Sequence, residues 1–260
     1  MALLRVGLCN DNGIFAHDPS ALRRLDIVVF PELMDGGYAR LYAGAAPHDL
    51  NDGWVSSFRR YSRRASSLLV AGSTYYRSPA RRPTNTSFVF RGGRIIHRYD
   101  KIHLFKPCRD HRYFAPGKSV GTFLFTRRGI RLRVGVIICY DLRFPELTRM
   151  QASKGMQLLI VPARWPSARD EAWSTLLKAR AIENQIFVIG CNAKGREGGA
   201  SYVFGPAGEL LFTDKGKRKQ PAVETIVLDL SSLSAARRLH HNISDAVFLP
   251  GRTRGRGVRS

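Results

Sequence analysis

The sequence predicts an α/β protein, and two observations carry that expectation. Short apolar runs bounded by turn residues recur along the chain, as buried strands do, at residues 26–30, 134–138, 158–162 and 186–191. Between them lie stretches with apolar residues at helical spacing, at 52–67 and 172–185. Strand and helix signals alternate without an interior linker, so residues 1–250 read as one domain and 251–260 as a basic, flexible tail.

Taken in order, residues 4–8 form the first strand, and residues 10–25 leave room for one short helix over 19–25. The strand at 26–30 ends in Pro31 and delivers Glu32. The helix over 52–67 puts Trp54, Val55, Phe58, Tyr61 and Ala65 on one face and arginines on the other. Strands follow at 68–75 and 86–90, and Arg91-Gly92-Gly93-Arg94 is a hairpin turn into a strand at 95–99 that delivers Lys101. Residues 102–120, punctuated by Pro116-Gly117, make a long irregular segment of the kind that is commonly functional. Strands at 122–125, 132–139 and 158–162 lead to the helix at 172–185, with Trp173, Leu176, Leu177, Ala181 and Ile182 along one face. Strands at 186–191, 200–204, 209–213 and 225–230 and a short basic helix at 233–240 complete the chain.

The stretch from Val134 to Leu147 organises the rest. A buried strand ends at Cys139, and Leu142, Leu147 and Met150 then continue at helical spacing. Pro145 is tolerated only in a first helical turn, so the helix is expected to begin just after the cysteine. An exposed cysteine at such an elbow, facing the positive end of a helix, is expected to favour thiolate. The alternative is a buried core cysteine. Three strand ends thus present a carboxylate, an ammonium and a thiol, at Glu32, Lys101 and Cys139. Ligands bind at strand ends in open α/β sheets, so these three groups are able to converge. His97, His103 and His111 surround Lys101 and offer a cysteine–histidine pair as the competing design.

The blocks Phe30-Pro31-Glu32, Tyr99 to Phe105, Tyr113 to Gly117, Cys139 to Glu146 and Ala179 to Gln185 occur in an order that resembles the nitrilase (carbon–nitrogen hydrolase) superfamily over about residues 6–230. With Trp165-Pro166 and Gly190-Cys191-Asn192 they are most similar to its omega-amidase branch. The resemblance implies a four-layer α-β-β-α sandwich of two mixed sheets with helices outside. It also implies a homodimer formed through the helical faces after Cys139 and near 172–185.

Its implied chemistry is hydrolysis of a small non-peptide amide, a dicarboxylic acid monoamide, through a thioester on Cys139. Glu32 and Lys101 complete the triad, and the backbone N–H of Tyr140 joins Lys101 in holding the oxyanion. A nitrile or N-carbamoyl substrate is the alternative within the superfamily. No metal or organic cofactor is implied. Tyr38, Phe114 and Trp165 are expected at the substrate, although Trp165 reads equally as a core or interface aromatic. Arg143 suits a substrate carboxylate, or else pairs with Asp141 or Glu146. Asp110 stands where the family usually has a glutamate that helps position substrate and the lysine, so it too is expected at the substrate, and Arg164 stands where the branch tends to have asparagine. The 10–25 layer and the 194–204 segment are shorter than the family leads one to expect.

Charge is the unusual feature of the composition: the formal net charge is +22, and of 42 basic residues nine are Lys and 33 Arg. The arginines are scattered as pairs, and only the tail from Arg252 to Arg259 is a concentrated run. A protein that keeps the fold but works on nucleic acid is therefore the second functional class, with weak, sequence-blind, salt-sensitive binding the expected behaviour. Retention of Glu32, Lys101 and Cys139 together counts against a pure binder. The four cysteines make neither a zinc pattern nor a disulfide framework, with Cys9 and Cys191 in strand-like runs. No apolar run approaches a membrane span and the first residues lead directly into a strand, so a cytoplasmic protein is expected.

Overall fold

The computed structural model describes residues 2–9, 19–77, 82–216 and 223–246. The first half holds β1 (Leu3–Cys9), a 3-10 helix (Pro19–Arg24), β2 (Ile27–Val29), α1 (Gly37–Tyr42), α2 (Gly53–Ala65), β3 (Leu68–Val70), β4 (Thr74–Tyr76), β5 (Thr84–Arg91) and β6 (Arg94–Asp100). Then come α3 (Asp110–Tyr113), β7 (Thr122–Arg127), β8 (Ile130–Val136), α4 (Pro145–Ser153), β9 (Leu158–Ala163), α5 (Asp170–Asn184) and β10 (Phe187–Asn192). The last elements are β11 (Tyr202–Phe204), β12 (Leu210–Thr213), β13 (Val223–Asp229) and α6 (Ser231–Leu239).

Two mixed sheets result. One runs β13-β1-β2-β3-β5-β4 with β6 added against β5, its β1, β2 and β3 parallel. The other runs β12-β11-β10-β9-β8-β7, with β8, β9 and β10 parallel. The period-2 alternation of strands decides the layering. In the first sheet Leu4, Val6, Leu8, Ile27, Val29, Leu68 and Val70 join the core shared with Val134, Val136, Leu158 and Ile160 of the second. Their neighbours Val28, Phe30, Leu69, Phe88 and Phe90 face the other way, onto Val55, Phe58, Tyr61 and Ala65 of α2. On the far side α5 covers β10 and β11 and packs against α4. The architecture is the four-layer α-β-β-α sandwich.

Local chemistry accounts for several boundaries. Asp52 caps α2, its carboxylate accepting from the N–H groups of Trp54 and Val55. The strand expected over 68–75 is broken into β3 and β4 because the chain crosses the end of β2 there. Gly72 adopts φ +53, and a Cβ on it would lie 1.8 Å from the carbonyl oxygen of Pro31, so only glycine permits the approach. This contact sets the backbone immediately before Glu32.

Other expectations need correction. The strand leading to Cys139 stops at Val136, and the helix after it is not continuous. A five-residue 3-10 helix, Cys139–Arg143, comes first, and α4 starts afresh at Pro145. The 102–120 segment is not wholly irregular, holding a 3-10 turn (Lys106–Cys108) and α3. Helix α5 begins two residues early, at Asp170, and Ile182 is 43% exposed rather than on the packed face. Helix α1 was not expected. The basic tail at 251–260 lies outside the described residues. Among the described residues no helix is long and apolar enough to cross a membrane.

Candidate active site

The parallel strands β2, β8, β9 and β10 all end on one side of the sandwich, and the loops that follow converge there, as α/β architecture favours. Glu32 follows β2, Lys101 follows β6, Cys139 follows β8 and Arg164-Trp165 follows β9. Lys101 is fully buried, and its Nζ donates to Glu32 Oε1 and to Asp110 Oδ2, each at 2.8 Å. Burial alone would lower the lysine pKa, but the two carboxylates outweigh it and hold Lys101 well above its ordinary value. It is an ammonium at neutral pH.

Glu32 is also fully buried and fully bonded. Besides Lys101, Asn85 Nδ2 donates to its Oε1 at 2.9 Å, and the Arg164 N–H donates to its Oε2 at 3.1 Å. Asp110 accepts from Tyr38 Oη at 2.9 Å through Oδ1, and from the Phe105 N–H at 2.9 Å through Oδ2. Burial, with the charges of Glu32 and Asp110, pushes the Tyr38 phenol well up, so it stays a donor. The aspartate, one methylene shorter than the expected glutamate, thus reaches the lysine directly.

Cys139 sits in the left-handed region at φ +45, a conformation worth roughly 1–3 kcal/mol of strain for a side chain other than glycine. Asp141 holds the turn in that shape. Its buried carboxylate accepts from the Ile138 N–H (3.1 Å), the His103 N–H (2.7 Å), His103 Nδ1 (3.0 Å) and Tyr99 Oη (2.8 Å). One side chain therefore ties the cysteine turn to both flanks of Lys101. The Tyr140 N–H lies in the first turn of the 3-10 helix, where amides have no intrahelical acceptor.

The thiolate expectation is overturned. Cys139 is 8% exposed, and the Cys139–Arg143 turn has too few aligned peptides to act as a helix dipole. Burial, then the Glu32 carboxylate, pushes the thiol well above its usual range, more than Lys101 and a backbone hydrogen bond with Arg164 pull it down; the thiol itself donates to the Arg164 carbonyl at 3.8 Å. At rest the group is a thiol beside a carboxylate. The histidine alternative is not assembled: His103 is bound to Asp141 and stacked on Phe144 at 3.5 Å, and His97 packs on Phe123.

Above the thiol opens a cavity of about 320 Å³. Tyr38, Arg143 and Trp165 line it, with Tyr140; Asp110 and Phe114, also expected at the substrate, do not. Phe114 is fully buried behind the wall, edge-on to Tyr75 and packed with Leu33 and Leu41. Trp165 fills both of its readings. It is a cavity wall, and it is also a core ring against Trp173 whose Nε1 donates to the Arg169 carbonyl. Arg143 pairs with neither Asp141 nor Glu146; its Cζ lies 4.9 Å over the Trp165 ring. Arg164 is not free for a ligand, because it donates to the carbonyls of Glu32 and Leu33 and to Glu197 Oε2. Asn85, Glu197, Cys108 and Arg169 were not singled out from sequence as parts of this site; no short-range pattern marks them. Among the described residues no group of three or more histidine, cysteine or acidic side chains is placed to hold a metal ion.

The family model described as carbon–nitrogen hydrolase matches residues 18–238. The omega-amidase YafV of Escherichia coli (strain K12) is 34% identical over 226 residues, covering 81% of this chain and 84% of that one. The 2-oxoglutaramate amidase of Bacillus subtilis (strain 168) is 32% identical over 194 residues, 73% of each chain. Among solved structures, the CN-hydrolase superfamily protein XC1258 of Xanthomonas campestris, which carries an arsenic adduct in its active site, superposes with a TM-score of 0.79. It is 26% identical, over 96% of this chain and 100% of that one.

Two outcomes follow from the geometry. The ultraviolet absorbance of thiolate, taken as the difference between wild type and Cys139→Ser, should titrate in with a midpoint above the ordinary value near 9; a midpoint below about 7 would mean a resting thiolate. Asp110→Asn removes one of the two negative charges that face a buried ammonium. It should lower kcat about 10- to 100-fold and stability by up to about 3–5 kcal/mol in urea denaturation, and unchanged kcat would show that the contact is idle.

Proposed function

The chain belongs to the carbon–nitrogen hydrolase family, and from that premise we propose that it is an omega-amidase-like enzyme hydrolysing a dicarboxylic acid monoamide to dicarboxylate and ammonia through a thioester on Cys139. The observation that carries the reading is the meeting of the Cys139 thiol, the Glu32 carboxylate and the Lys101 ammonium under one cavity whose wall bears the exposed guanidinium of Arg143.

In this reading the steps divide among the residues as follows. Cys139 Sγ attacks the amide carbon while its proton passes to Glu32, which removes the barrier set by the raised thiol pKa. The carbonyl oxygen becomes an oxyanion facing Lys101 Nζ and the Tyr140 N–H, donors worth about 3–4 kcal/mol each in such sites. Glu32 then hands the proton to the amide nitrogen, the C–N bond breaks and ammonia leaves. With the acyl group on Sγ, the same carboxylate takes a proton from water, hydroxide adds to the thioester carbon, and the acid departs as the thiol is reprotonated. Lys101 remains charged throughout, and Asp110 and Tyr38 keep it aimed. Arg143 is the partner for the carboxylate of an α-keto ω-amide, the class left by transamination of glutamine or asparagine.

The same reading makes the protein a cytoplasmic homodimer joined through the outer faces of α4 and α5, where Ile182 lies exposed. A net charge of +22 adds weak, salt-sensitive association with nucleic acid, separate from turnover.

An ammonia-release screen over α-keto ω-amides, plain amides, nitriles and N-carbamoyl amino acids tests the assignment. The keto amides should have the highest kcat/KM, and Cys139→Ala should be inert while keeping its circular dichroism spectrum. A preference for nitriles or N-carbamoyl compounds, or turnover by Cys139→Ala, would contradict it.

A further inference from the structure

The cavity above Cys139 holds more positive charge than a single substrate carboxylate requires. Its wall bears the guanidiniums of Arg143, Arg164, Arg169 and Arg196 against one carboxylate, Glu197. Arg164 is the one bound to Glu197, at 3.1 Å. Among the described residues the other three have no carboxylate partner. Two of them are braced on rings, Arg143 with Cζ 4.9 Å over Trp165 and Arg169 with Cζ 5.4 Å over Phe105. A guanidinium stacked in this way is fixed in orientation yet keeps its in-plane N–H donors for a carboxylate or phosphate. Both arginines are exposed to solvent on that wall, so each is open to an incoming anion. The volume, about 320 Å³, lies in the range of about 300–1,000 Å³ that accommodates drug-sized ligands, more room than a five-carbon monoamide needs.

We propose that the substrate is a dianionic amide, carrying one anionic group that binds Arg143 and a second that binds Arg169. The inference rests on the amidase reading, because it assumes that the reacting carbonyl lies at Cys139 between the two. Arg169 is in this account a specificity residue, contributing to affinity for the second anion and not to proton transfer. The second anion is a carboxylate on either the acyl arm or the departing amine, and the hydrolysis itself is unchanged: water adds across the C–N bond, giving acid and amine or ammonia.

The test compares three amides with the same reacting group, one uncharged, one monoanionic and one dianionic, with the second carboxylate placed in turn on each arm. Wild type should show kcat/KM at least tenfold higher for a dianion than for the monoanion, carried by KM. Arg169→Gln should cut kcat/KM for the dianion at least tenfold more than for the monoanion, and Arg169→Lys should restore part of the difference. Equal values for monoanion and dianion, or an equal loss on both in Arg169→Gln, would overturn the proposal. Calorimetric titration of the same amides into Cys139→Ala reads the charge preference without turnover. Tighter binding of the dianion there, with no hydrolysis by wild type, would refute the amidase reading and leave Arg169 only as an anion-binding subsite; hydrolysis by wild type with no preference in binding would refute the inference alone.

Discussion

An ammonium with no exposure to water has to be neutralised where it lies, and Lys101 is neutralised by Glu32 and Asp110 together. That requirement brings three separate parts of the chain to one point: the end of β2, the end of β6 and the start of α3. Taken with Cys139, the cluster holds two carboxylates against one ammonium, a net negative charge that opposes ionisation of the thiol. Burial is the first cause of the raised pKa of Cys139, and the Glu32 carboxylate that also holds Lys101 is the second. A proton moving from sulfur to Glu32 leaves the cluster's charge unchanged, so transfer during attack avoids the cost that a free thiolate would incur.

The second constraint is the turn at Cys139. Its strained backbone persists because Asp141 accepts four hydrogen bonds, one from the turn itself and three from the Tyr99 and His103 side chains and the His103 backbone. Cys139 and Lys101 are therefore held by a common anchor. On the other side, the Arg164 backbone touches both Glu32 and Cys139, its N–H bonding the carboxylate and its carbonyl accepting from the thiol, while its side chain grips the Glu32 and Leu33 carbonyls. The residue that departs from the branch pattern is architecture here, whereas Arg143 and Arg169 lie on aromatic rings with no carboxylate partner among the described residues.

Much of the candidate site was legible because its three central residues sit at strand ends, and buried strands announce themselves as apolar runs. Glu32, Lys101 and Cys139 each follow one within three residues. The layering was read from whole blocks of resemblance and is explained by the alternation of side chains in β1, β2 and β3. Asp110 was legible as a departure, and its direct bond to Lys101 gives the departure a physical sense. What sequence could not supply was long-range pairing. Asn85 reaches Glu32 across 53 positions and Glu197 reaches the Tyr38 N–H across 159, contacts that leave no local periodicity. The resting thiolate failed as an expectation for a related reason: whether a turn becomes a 3-10 helix or an α-helix, and whether a cysteine is covered, depends on the packing around it. Helix α1 escaped notice because it is short and opens at Gly36 and Gly37, both with positive φ.

The account turns on covalent chemistry at Cys139, and intact-mass spectrometry of enzyme quenched within a single turnover tests it most directly. With an α-keto ω-amide the protein should gain the mass of the acyl group less one hydrogen, peptide mapping should put it on Cys139, and hydroxylamine should remove it as a thioester. Turnover with no added mass, or an adduct found on Cys108 of the same cavity, would contradict the account.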